Sequence, residues 1–190
     1  MDRKMSRSYT VKAYRAIDLT LFAVILCIFE TVIVHASSSP MFRDQPYSVS
    51  LTAAITTIVY YRWGWWGCIH ALLGGIAYSG MGGGSPVQMA VYALGNLLSL
   101  FMVPIIRKAK PSQKWFCPLS GLGTLLLMQT GRAIAALLIG AQWAEALRFF
   151  TTDSLSAVFT LVILWIAHRL DGICEDQKQY LKRINQQIEE

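Results

Sequence analysis

The sequence predicts an all-α membrane protein of six transmembrane helices, with both termini cytoplasmic. Three observations lead there. Apolar residues fill 54% of the 190 positions and charged residues only 15%, and the charges avoid the apolar runs. Six such runs lie near 16–36, 46–61, 63–79, 87–106, 117–140 and 154–170, close to the ~20 residues that cross a ~30 Å hydrocarbon core. With six spans, 14 of the 17 Lys and Arg residues fall on one side, the pattern of a cytoplasmic face.

The elements follow in order. Residues 1–15 form a basic segment carrying Arg3, Lys4, Arg7, Lys12 and Arg15. Span one is too long for a signal-peptide core, and His35-Ala36-Ser37 is a poor cleavage site, so the span is expected to be retained. Only Arg43 marks the next gap. Span two is short and is parted from span three by Arg62-Trp63-Gly64. One helix through 48–79 would give five spans and place the basic knot Arg107, Lys108, Lys110 and Lys114 opposite the basic N-terminus, so a tight turn is predicted instead. Trp63, Trp65 and Trp66 beside Tyr60 and Tyr61 then form an interfacial belt. Gly82-Gly83-Gly84 precedes span four, the knot separates spans four and five, and residues 141–153, with Arg148, form an outer gap. Residues 16–170 thus make one membrane domain. The tail 171–190 repeats apolar residues at Ile173, Tyr180, Leu181, Ile184 and Ile188, which predicts a cytoplasmic helix extending from span six, with Gly172 bending the chain.

Composition and motifs exclude several function classes. A net charge of +6 reflects topology and anionic lipid rather than nucleic acid. Cys27, Cys68, Cys117 and Cys174 are scattered, suggesting neither a disulfide frame nor a metal site. His35, His70 and His168 are dispersed over different depths. There is no nucleophile elbow, zinc-protease motif or phosphate-binding loop, so neither an enzyme nor a resident cofactor is expected.

Three ionisable residues stand in apolar segments, where charge is costly. Asp18, near the cytoplasmic face, reads as a solvated or Arg-paired helix start. At ~1.5 Å per residue, Glu30 lies roughly 20 Å up span one and Arg132 about as far up span five. Tyr92, about 9 Å below the outer end of span four, reaches the same layer. Gln88, Tyr92, Asn96 and Ser99 form one stripe on span four, and Gln129 shares a face with Arg132. These residues predict an outward-facing polar pocket; the alternative is a structural Glu30–Arg132 bridge with the amides cross-linking helices. Small residues form a second pattern: Ala16, Thr20, Ala23, Cys27 and Thr31 on span one, and Gly67, Ala71 and Gly75 on span three. Such faces admit close helix contact, internal or with another protein.

The span-one face Ala16-xxx-Thr20-xx-Ala23, and the run Arg62-Trp63-Gly64-Trp65-Trp66-Gly67 through Leu73-Gly74-Gly75, resemble the substrate-binding S components of energy-coupling factor transporters, which import vitamins and micronutrients. The architectural likeness covers nearly the whole chain. It implies that Ala16, Thr20, Ala23 and Cys27 face a transmembrane coupling subunit, with Thr20 where that family carries Ala. It also implies two partner ATPase subunits that use the ATP, and capture of a small vitamin-like ligand in the outer half of a multi-pass protein of the prokaryotic plasma membrane. By depth, the ligand site would comprise Gln88, Tyr92, Asn96, Gln129 and Arg132, with Arg132 holding a carboxylate, phosphate or ring carbonyl. Glu30 is not a signature of that family. Tyr47, Phe42 and Trp143 are candidate lids. The competing expectation is a non-transporting scaffold of a cell-envelope or cell-shape complex, with partners bound by the tail.

Overall fold

The computed structural model describes residues 11–37, 48–108 and 115–189, with side chains up to Arg183. Tyr47, Phe42, Lys110 and Lys114 lie outside these residues, as do the side chains of Ile184 and Ile188. All regular structure among the described residues is helical: α1 Val11–Ser37, α2 Thr52–Trp63, α3 Cys68–Met81, α4 Pro86–Asn96, α5 Met102–Lys108, α6 Phe116–Leu138, α7 Trp143–Thr152, α8 Ser154–Ala167 and α9 Gln177–Glu189. Short 3₁₀ segments join α2 to α3 (Gly64–Gly67) and α4 to α5 (Leu97–Phe101). Among the described residues, four stretches are long and apolar enough to cross a membrane: Val11–Ser37, Pro86–Lys108, Phe116–Leu138 and Trp143–Ala167.

The segments expected as spans two and three are different. The 12 residues of α2 and the 14 of α3 rise only about 18 and 21 Å. Eleven of the twelve α2 residues are buried, and α2 side chains enter four separate apolar clusters, through Ala53, Ile55, Ile58 and Tyr60. A helix buried on every side sits inside the bundle, and its buried Thr52, Thr56, Thr57 and Arg62 therefore face protein. Peripheral α1 instead exposes Ile17, Leu21, Val24, Ile28 and Val32, the composition of a lipid-facing surface.

The turn expected at Arg62-Trp63-Gly64 is present. Gly64 has φ +61°, a left-handed conformation that glycine adopts without Cβ strain, and a Cβ there would also strike the Arg107 guanidinium. A Cβ on Gly67 would meet Tyr60, and one on Gly74 would meet Thr52, so α2 and α3 run antiparallel. Gly75 abuts the backbone of Tyr92 and Ala93, and Gly131 faces the Gly95 carbonyl. Glycine thus lets the α3, α4 and α6 backbones touch.

The chain alternates direction through the bundle, and the start of α1 meets the turn before α9 at one pole. There the Asp18 carboxylate accepts from Arg62 Nε (2.8 Å), Arg62 Nη2 (2.7 Å) and Trp63 Nε1 (2.6 Å). Arg62 Nη1 also donates to Gly172 O (2.7 Å), as does Gln177 Nε2 (2.6 Å), while Tyr14 OH reaches Gln177 Oε1 (3.4 Å). Asp18 is therefore buried and Arg-paired, and its arginine comes from the end of α2. The tail is helical as expected, but Gly172, at φ +77°, separates α9 from α8. Residues 143–152, expected as part of an outer gap, form α7 in near continuity with α8.

Candidate functional site

At the pole opposite Asp18, one hydrogen-bonded chain links α1, α2, α3, α4, α6 and α8. Glu30 is fully buried, and its Oε1 accepts from Ser50 Oγ (2.8 Å), Leu51 N (2.9 Å), Thr52 N (3.1 Å) and Thr52 Oγ1 (3.0 Å). A helix start leaves its first N–H groups without intrahelical acceptors and carries partial positive charge, so a carboxylate satisfies both needs. Leu51 cannot cap α2 with its own side chain; Glu30 does so from α1. Ser50 N then donates to Ser156 Oγ (2.9 Å), and Ser156 Oγ to Ser48 O (3.3 Å). Ser48 Oγ bonds Asp153 Oδ1, and Ser48 N donates to Thr152 O (2.9 Å).

Asp153 carries the chain to Arg132. Arg132 Nη1 donates to Asp153 Oδ2 (2.9 Å) and Nε to Asn96 Oδ1 (2.8 Å). Asn96 Nδ2 completes the path at Ala71 O (2.9 Å). The Arg132 guanidinium also lies over the Tyr92 ring, 4.7 Å from its centroid, and Tyr92 packs against Tyr78 (5.4 Å) and Phe149 (5.6 Å). Gly95 and Gly131 bring α4 and α6 close enough for the Asn96–Arg132 bond to form. Among the described residues, no partner takes Arg132 Nη2, and Glu30 Oε2 is buried without one.

The structure gathers Glu30, Tyr92, Asn96 and Arg132 at one end, the layer expected from depth along the spans. It does not pair Glu30 with Arg132. Each has a nearer partner: the first turn of α2 for Glu30, and Asp153 for Arg132. Asp153 is the residue that sequence reasoning missed, because it falls within the expected outer gap; an acid flanked by Thr152 and Ser154 before an apolar run was the available signal. Gln129 is buried one turn before Arg132, whereas Gln88 is exposed at the start of α4. Ser99 leaves the stripe to bond Tyr60 OH (2.7 Å). Trp143 is 73% exposed at the start of α7 and takes no part in the network.

The small-residue faces resolve differently. That of α3 is internal, with Gly67 against Tyr60 and Gly75 against α4. On α1, Ala16, Thr20 and Thr31 are exposed, and Ala23 and Cys27 half-buried. Among the described residues, no group of three or more His, Cys, Asp or Glu side chains could hold a metal ion. Comparison with known proteins returns nothing similar: no family model, curated protein or solved structure matches the chain.

Proposed function

We propose that this chain is a membrane-embedded substrate-binding subunit, of the energy-coupling factor S-component kind, that captures a small vitamin-like solute at its Glu30–Arg132 pole. Six passes place that pole outside and both termini inside. The charge distribution supports the orientation, and burial of α2 explains why a short helix suffices there: it meets protein rather than lipid. Partner subunits supply ATP hydrolysis and membrane coupling.

One observation carries the reading. Two acids, an arginine and an amide from separate passes converge with Tyr78, Tyr92 and Phe149 in one layer. Such a layer suits a flat solute with a polar edge: the ring lies against the aromatic side chains, and Arg132 Nη2 donates to a carbonyl or acidic oxygen. Asp153 and Asn96 hold the guanidinium plane in place beforehand, which lowers the ordering cost of binding. The open α1 face around Ala16, Thr20 and Ala23 is left for the coupling subunit.

A scaffold is the second reading, and it too has a specific observation in its favour: each charge of the layer already has an internal partner. A thermal-shift screen of the purified protein against vitamins, nucleobases and amino acids separates them. A solute that raises the midpoint in wild type, and not in Arg132→Lys, supports capture. Unchanged midpoints across the panel, with partners retained by the 171–190 tail, support the scaffold.

A further inference from the structure

Two thiols outside the polar layer stand together at the Asp18 pole. Cys117, at the start of α6, and Cys174, in the turn between α8 and α9, have Sγ atoms 3.4 Å apart although 57 residues separate them. Cys117 is buried in a cluster with Ile58, Leu164 and Ala167, and Cys174 packs against that cluster from outside. Both line a cleft of about 670 Å³ that also contains Tyr61, Arg107, His168 and Tyr180. The cleft gives a small reagent access to the half-buried Cys174, while Cys117 lies just behind it. Cys27 and Cys68 lie elsewhere, on α1 and at the start of α3.

We infer that Cys117 and Cys174 are a reversible dithiol–disulfide pair whose oxidant is a small-molecule disulfide of the glutathione class. One thiolate of the pair attacks one sulfur of the reagent, forming a mixed disulfide and releasing one thiol. The other thiolate then attacks the protein sulfur of that mixed disulfide, closes the protein disulfide and releases the second thiol. Two protein thiols are oxidised and one reagent disulfide is reduced to two thiols, with both protons leaving to those thiols or to solvent.

Closure requires the sulfurs to approach from 3.4 Å to a bond length of about 2.05 Å. The C-terminal turn supplies that movement, since it is joined to the bundle by side-chain contacts such as Arg62 to Gly172 O rather than by a continuous helix. The new bond pins the turn, and α9 behind it, to the start of α6. The chemistry is independent of the transport reading. In the proposed orientation this pole faces the cytosol, so the reduced pair is the resting state.

The test incubates the full-length protein in mild detergent with oxidised glutathione, then quenches, digests and identifies the joined peptides by mass. A Cys117–Cys174 cross-link, lighter by about 2 Da than the two free peptides, is the expected product. It should disappear with dithiothreitol, and oxidation should raise the melting midpoint of wild type but not of Cys174→Ser. Cys117→Ser should instead retain glutathione on Cys174, trapped for want of the resolving thiol. A stable glutathione adduct on Cys174 in wild type overturns the proposal. So does cross-linking to Cys27 or Cys68, or the absence of any oxidised product. The wild-type cross-link is decisive even if a variant folds poorly.

Discussion

Removing Asp153 is the most informative single perturbation of the polar layer. The Arg132 and Asp153 side chains are 3% and 7% exposed and meet at 2.9 Å. At an effective dielectric of about 20, charges at that separation attract by about 6 kcal/mol before desolvation is counted. Desolvation offsets much of that gain, but stripping one partner leaves the other charge buried alone, at a cost of about 3–5 kcal/mol. Asp153→Ala should therefore lower the folded-to-unfolded ratio by about two to three and a half decades. Arg132→Met should cost a similar amount, and the double variant less than the sum. Arg132→Lys should lose stability too, because one ammonium cannot reproduce the planar fork that serves Asn96 and Asp153 together. Equilibrium unfolding in mixed micelles, as the denaturing detergent fraction rises, measures the wild type and all four variants. Additive effects, or single losses below about 1 kcal/mol, the range of an exposed pair, would refute the coupling.

Further outcomes follow from other parts of the molecule. Glu30→Leu should cost more than Glu30→Gln by the same unfolding measurement, because leucine strips the acceptor from the buried Leu51 amide at about 1–3 kcal/mol and leaves Thr52 N only its longer bond to Ser50 Oγ (3.2 Å), whereas glutamine keeps one oxygen. Gly131→Leu places a Cβ 2.0 Å from the Gly95 carbonyl and should abolish monodisperse protein in size-exclusion chromatography; Gly123→Ala, facing the flexible Met102, should be tolerated. A cysteine at Gly83 should be labelled from outside intact cells and one at Lys108 should not; labelling of Lys108 from outside would end the six-pass orientation. Ala23→Leu should leave the isolated protein folded while blocking capture of a coupling subunit, and loss of the folded protein itself would make that face internal.

The long apolar runs made the helical class and the four long apolar helices legible, because lipid demands continuous hydrophobicity. Depth along those runs was equally legible: Glu30, Tyr92, Asn96 and Arg132 share one end because helix rise is constant. Partnership was not. Glu30 and Arg132 are both buried, but each is satisfied by whatever lies within about 3 Å, and that depends on rotation and on the connections. Glu30 caps α2 from another helix, a relation that no local spacing encodes. Asp153 was hidden because α7 and α8 nearly continue one another, turning an expected gap into a helix with a carboxylate at its bend. Arg62 counted as a topological charge in the sequence; in the fold, antiparallel packing of α1 and α2 returns it to Asp18, 44 residues away.

Native mass spectrometry of the protein extracted gently from its own cells tests solute capture most directly. Expected is a non-covalent small-molecule adduct on the folded protein. It should be released on detergent unfolding and be absent from folded Arg132→Lys protein. Folded wild-type protein that carries no such mass, and acquires none when a vitamin mixture is added, would contradict capture and leave the buried charges as the internal brace of a scaffold.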